Sequence, residues 1–183
     1  MGGQYNANPY GDLTGADAPH VARYCIARGF IEPGETVLDA GCGTGYGSHM
    51  LAKVAKRVLA VDAEDTVNSN WRDDNIQFMV LHLGKEELPE ADVTICIEAA
   101  EHINGLENFI SEVHKKTKRL IFICTPLGGT SYAYTDEEKA TPAGENNDFN
   151  NQAHLQSLFA TDGWRVFTSF DYGYSGIIVL VRE

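Results

Sequence analysis

Two short stretches hold the residues of this chain whose types and spacing could do chemistry. The first is "VLDAGCGTGYGSHMLA", residues 37–52, where Gly41, Gly43, Gly45 and Gly47 alternate after Asp39. Glycines at the point where a strand gives way to a helix let backbone N–H groups come close to a ligand at the helix N-terminus. The dinucleotide fingerprint spaces its glycines G-x-G-x-x-G, so strict alternation argues against NAD. The second stretch is "DVTICIEAAEHI", residues 92–103. If the chain is helical from residue 98, Glu98, Glu101 and His102 stand at i, i+3 and i+4, two carboxylates and an imidazole on one face that could hold a divalent cation.

The second stretch supports other readings as well. Glu98 and Glu101 also suit the first turn of a helix, where acids complement the dipole, with His102 capping or packing. His102 or His154 could equally serve as a general base without a metal, because the ordinary pKa of histidine suits proton removal near neutrality.

Elements must position these residues, and the apolar periodicity supplies them. A helix begins near Asp17, with Val21, Ala22, Cys25 and Ile26 at helical spacing until Gly29. "TVLDA" reads as a strand, the glycine turn follows, and "SHMLAKVAKR" reads as a helix with Met50, Leu51, Val54 and Ala55 on one face. "RVLAVD", "IQFMVL" and "DVTICI" are further strands, a helical stretch runs from about 99 to 116, and "RLIFICTP" is the next strand. A polar loop at 127–150, a helix near "QAHLQSLFATDG" and the runs "WRVFTSF" and "GIIVLV" complete the chain. Repeated β-α-β crossovers predict an α/β protein whose mainly parallel sheet is covered on both faces, ending in an antiparallel hairpin.

D-x-G-x-G-x-G at the end of the first strand, with Asp62 ending the second, resembles the class I methyltransferases that use S-adenosylmethionine. The resemblance implies a Rossmann-like sheet of seven strands and a cofactor site at Asp39, Gly41, Cys42, Gly43, Asp62 and Ala63. Asp62 would accept both ribose hydroxyls, a contact for which a carboxylate is suited. "H-x-x-R-Y" at 20–24 is similar to bacterial members whose first helix covers the methionine end of the cofactor, which would involve His20, Arg23 or Tyr24; a plain surface helix fits the same residues. After the third strand the family often has an Asp for the adenine amino group; this chain has "LHLGKEELPEAD", so His82 or the backbone of Leu83 would take its place.

E-x-x-E-H after the fourth strand is similar to ubiquinone-pathway O-methyltransferases and to small-RNA 2′-O-methyltransferases, in which a later histidine completes a metal site. That resemblance implies Glu98, Glu101, His102 and His154 as ligands, with catalytic roles for His102 and His154. Such a set suits Mg, Mn, Fe or Zn without deciding among them. A bound metal would lower the pKa of an acceptor hydroxyl.

The expected reaction is O-methylation of a small-molecule, sugar-like or phenolic hydroxyl. RNA 2′-O-methylation is the alternative, and a non-catalytic subunit that only binds S-adenosylmethionine is another. A net charge of −12 disfavours broad contact with nucleic acid. The cations of "HKKTKR", residues 114–119, fit the solvated end of a helix. Cys25, Cys42, Cys96 and Cys124 form no C-x-x-C pair and sit mostly in apolar runs, as free thiols do in a reducing cytosol. With no signal-peptide pattern and no apolar run long enough to span a bilayer, the expected location is cytoplasmic, without membrane insertion. Residues 1–15 are expected to form a flexible segment or lid, and 16–183 one domain. His49 and His114 are expected on solvent-facing helix positions. Tyr132, Tyr134 and Phe149 are expected to line a substrate pocket or anchor their loop, and Trp164, Phe167 and Phe170 to lie in a core or interface.

Overall fold

A computed structural model describes residues 18–67, 69–128 and 147–183 of the chain. The expected N-terminal lid, Tyr132 and Tyr134 therefore lie outside the described residues. The elements run α1 (Ala18–Arg28), β1 (Thr36–Ala40), α2 (Tyr46–Ala52), β2 (Arg57–Asp62), β3 (Ile76–Val80), β4 (Ala91–Ile97), α3 (Leu106–Lys116), β5 (Thr117–Pro126), α4 (Gln152–Phe159), β6 (Trp164–Tyr172) and β7 (Ser175–Arg182).

The seven strands form one sheet in the order β3-β2-β1-β4-β5-β7-β6. The first five pair in parallel, and β7 runs antiparallel between β5 and β6. Parallel strands need crossovers, and the crossover helices bury both faces. Alternate residues of the central strands accordingly enter two cores. Leu38, Val61, Cys96, Ile121 and Ile178 pack with Phe109 and Val113 of α3 and with Leu155 and Phe159 of α4. Val37, Val58, Ile95, Phe122 and Val179 pack on the other face with Tyr24 and Ala27 of α1 and Leu51 of α2. This matches the predicted Rossmann-like arrangement, including the closing antiparallel pair.

Two predicted helices differ from the structure. Helix α2 ends at Ala52, and Val54 is exposed, because the chain must turn at once to start β2 at Arg57. The stretch from 99 to 116 is two elements: a 3-10 turn at Ala100–His102, then α3 starting after Gly105 in the left-handed region at φ 82°. An extended Ile103 between them interrupts the helical ladder. Glu98 itself is left-handed at φ 51°, so no continuous helix carries Glu98, Glu101 and His102.

Candidate active site

The ends of β1, β2 and β4 lie side by side in the sheet, so the turns that follow them share one edge. After β1, the backbone N–H groups of Gly41 and Cys42 both donate to Val61 O, at 2.9 and 3.0 Å, pinning the glycine turn to β2. Gly41 has φ +86°, and a Cβ there would lie 2.4 Å from the Cβ of Ala99, so the turn after β1 and the turn after β4 touch through a missing side chain. Gly43 is different: a Cβ built on it meets nothing within 4 Å. Its backbone therefore borders open space into which a ligand can come close.

Asp62 ends β2 beside that opening. Its Oδ2 accepts from Gly43 N at 2.7 Å and its Oδ1 from Ala63 N at 2.8 Å. Two backbone donors thus orient the carboxylate, and each oxygen keeps acceptor capacity for a ligand hydroxyl. Leu81 N donates to Asp62 O at 2.8 Å, bringing the loop after β3 alongside. In that loop the His82 side chain is exposed, the His82 backbone N–H donates to Glu86 Oε2 at 2.7 Å, and Leu83 is half-buried against the α3 side of the sheet.

Asp39 has the opposite situation. It is fully buried, and its oxygens accept from Ser48 Oγ at 2.6 Å and Tyr24 Oη at 3.2 Å. The carboxylate therefore braces α1 and α2 against β1 from beneath the turn. Burial raises its pKa to about 6, although both hydrogen bonds pull the other way. Cys42 is also buried, and burial together with Asp39 and Asp62 pushes its thiol far up, so it is no nucleophile. Above the turn, the rings of His20, Tyr24 and Tyr46 lie 5.6 to 5.7 Å apart, and His20 Nδ1 hydrogen-bonds the Tyr46 hydroxyl. Burial and the neighbouring Arg23 lower the pKa of His20 to about 4, so its ring is neutral at pH 7.

Glu98, after β4, belongs to a buried network that sequence reading missed. Its Oε1 accepts from Ser175 Oγ at 2.8 Å and faces Arg23 Nε at 3.7 Å; Arg23 in turn donates to Ser175 Oγ at 2.9 Å and lies over the ring of Tyr174. Arg23 is buried, which no local pattern around it foretells. Burial raises the pKa of Glu98 and Arg23 opposes the rise. Glu101 points inward and accepts from Thr125 Oγ1 at 2.8 Å. Burial, helped by Glu98, raises its pKa to about 8. His102 is 45% exposed, with Nε2 3.7 Å from Glu101 Oε1.

The expected metal quartet does not assemble. With the helix broken after Glu98, that carboxylate turns to Arg23 and Ser175, whereas Glu101 binds Thr125 through Oε2 and has His102 near its Oε1. His154 lies in the first turn of α4, and its Nδ1 accepts from Asn150 N at 3.2 Å. Among the described residues no three His, Cys, Asp or Glu side chains are arranged to hold a metal ion. The donor types suit a divalent cation, but as placed here they do not converge to hold one.

The other histidines also depart from expectation. His114 is buried, with Nε2 2.9 Å from Phe159 O and its ring stacked on Trp164. His49 is half-buried, beside Trp71, with Nδ1 2.6 Å from Asp73. Phe149 and Trp164 are core residues and Phe170 packs against the core, whereas Phe167 is exposed. Cys42, Cys96 and Cys124 are buried free thiols, and Cys25 is exposed. No described helix is long and apolar enough to cross a membrane.

Comparison with known proteins follows the same lines. Residues 38–120 match the methyltransferase domain family. A protein of Mycobacterium tuberculosis (strain ATCC 25618 / H37Rv), described as a probable S-adenosylmethionine-dependent methyltransferase, is 33% identical over 112 residues, 58% of this chain and 38% of that one. The ubiquinone biosynthesis O-methyltransferase of Rickettsia akari is 34% identical over 107 residues, 54% of this chain and 42% of its own. This chain thus spans less than half the length of either relative. The crystal structure of magnesium protoporphyrin IX methyltransferase from Synechocystis PCC 6803 with bound SAH superposes with a TM-score of 0.67 at 18% identity, covering 91% of this chain and 83% of that one. At that identity the likeness is one of fold.

Proposed function

We propose that this chain, which belongs to the class I S-adenosylmethionine-dependent methyltransferases, transfers a methyl group to a hydroxyl oxygen of a small-molecule acceptor. The observation that carries the reading is the Asp62 carboxylate, squared by the N–H groups of Gly43 and Ala63 beside backbone that no side chain covers. Asp62 would accept the two ribose hydroxyls, with the loop at His82 and Leu83 beside the adenine and the backbone of Gly41–Gly43 under the methionine end. S-adenosylmethionine, when bound, supplies an electrophilic sulfonium methyl. His102, half-exposed after β4, is the group we assign to take the acceptor's hydroxyl proton. His154 is a second candidate for proton transfer, with Nδ1 accepting from Asn150 N.

Oxygen is favoured as the acceptor atom by the likeness to the Rickettsia O-methyltransferase, and a small acceptor by the net charge of −12, which repels polyanions. The cofactor half is tested by calorimetry. S-adenosylhomocysteine should bind more tightly than NAD, and Asp62→Ala should weaken it by about 1.5–3 kcal/mol, roughly ten- to hundredfold, the worth of hydrogen bonds to a charged group. Tighter binding of NAD would sink the reading. For the chemistry, radiolabelled S-adenosylmethionine is offered with two hydroxyl probes, 3,4-dihydroxybenzoate and methyl glucoside. His102→Ala should lower turnover by about 10²–10⁴, the usual contribution of a general base, and equal turnover would remove His102 from the mechanism.

A further inference from the structure

The turn that carries His102 is poorly tied by its own backbone. It closes with His102 N to Ala99 O at 3.0 Å and Ile103 N to Ala100 O at 3.3 Å, and the extended Ile103 then ends the ladder. A single distant residue makes up the deficit. Asn147 N donates to Glu101 O at 2.8 Å, and Asn147 Nδ2 donates to Ala100 O at 3.1 Å and to Ile103 O at 2.8 Å. Three carbonyls in four residues, on both sides of His102, are thus bound from across the sequence. Buried or half-buried carbonyls of this kind need partners, and one planar amide with two N–H groups can serve two of them at once.

Asn147 is itself on a firm base. Phe149 is buried and bridges to Leu127, Asn150 N donates to His154 Nδ1, and the Asn151 side chain caps α4 by accepting from His154 N at 2.9 Å. On its other side the turn leads into Gly105, which lies against Gly84; a Cβ on Gly84 would be 2.3 Å from Asn104 O. The His102 segment is therefore held between the loop after β3 and the segment before α4.

We infer that Asn147 is a positioning residue for His102, its amide holding the turn so that the imidazole stays in one place at the edge of the sheet. The inference rests on the proposed role of His102. A displacement of about 1 Å in a catalytic group can cost roughly a hundredfold in rate, so a residue that fixes this turn acts on turnover without touching substrate. The binding of S-adenosylhomocysteine, which relies on Asp62 and the glycine turn, does not depend on it.

The test is Asn147→Asp, which keeps the shape and the backbone N–H but replaces the amide donor by a carboxylate facing carbonyls; Asn147→Ser is the second variant should the first fold poorly. The His102 ring resonance, identified by its loss in His102→Ala, should shift or broaden in both variants while that of His114 stays in place. Affinity for S-adenosylhomocysteine should remain within about twofold. Turnover of 3,4-dihydroxybenzoate should fall roughly ten- to hundredfold with KM little changed, the pattern of a lost transition-state interaction. An unmoved His102 resonance overturns the inference, as does a parallel loss of cofactor affinity, which would mark a general structural role. Full turnover by His102→Ala, or no transfer to the probe by the wild type, would instead remove the proposed function on which it rests.

Discussion

Two aspartates of one motif have opposite environments. Asp62 is presented at the edge of the sheet with spare acceptor capacity, whereas Asp39 is buried with both oxygens bound by Ser48 and Tyr24. The consequence for Asp39 is measurable. Its folded pKa of about 6 lies above the ordinary 3.8, so between those values the folded state holds more protons than the unfolded chain. Stability should therefore fall as pH rises through that window and level off above it. Asp39→Asn cannot titrate, and its unfolding free energy in urea should lose that slope; an identical pH dependence in both proteins would exclude Asp39 as its source. Spacing made both acids legible in the sequence. Which one keeps open acceptor capacity was not, because burial depends on Tyr24 and Ser48, brought to Asp39 by two helices.

The glycine turn shows the same division at the level of elements. Gly43 has room for a Cβ but stands at φ +52°, while Gly47, inside α2, has an ordinary helical conformation and no room: a Cβ would lie 2.0 Å from the Tyr24 ring. Gly47→Ala should therefore cost about 1–3 kcal/mol or more by overpacking the α1–α2 contact. Gly43→Ala should cost roughly 1–2 kcal/mol in backbone strain and, on the proposed function, should weaken S-adenosylhomocysteine more than Gly47→Ala does, as the added methyl enters the open space beside the turn. Denaturation midpoints and calorimetry on the two variants separate the cases; the reverse order of stabilities would contradict the packing. Periodicity located the strands and most helices here. It failed at 98–105 because Glu98, Glu101 and His102 mimic a helical face, and the signal that the chain breaks there was Asn104-Gly105, a turn pair just before α3.

For the whole molecule, the buried Arg23–Glu98–Ser175 cluster joins α1, the turn after β4 and the start of β7. Arg23→Met would leave Glu98 buried without its cation, at a cost of about 3–5 kcal/mol. The loss should shrink as pH falls, since burial without the Arg23 cation favours protonated Glu98, and Arg23→Met with Glu98→Gln should recover much of it. Thermal unfolding of the single and double variants checks this, and a double variant no more stable than Arg23→Met would show that the charge is not the cause. By itself the sequence determined the alternation of strands and helices and the glycine turn after β1, because apolar period and glycine spacing are local properties. Only the tertiary structure decided the fate of each ionisable group: Asp39 became a brace, Glu98 the partner of Arg23 and Glu101 a buried acid, while the metal quartet dissolved. Convergence of side chains is set by strand order and by contacts such as Asn147 to Ala100, 47 residues apart, which no local pattern encodes.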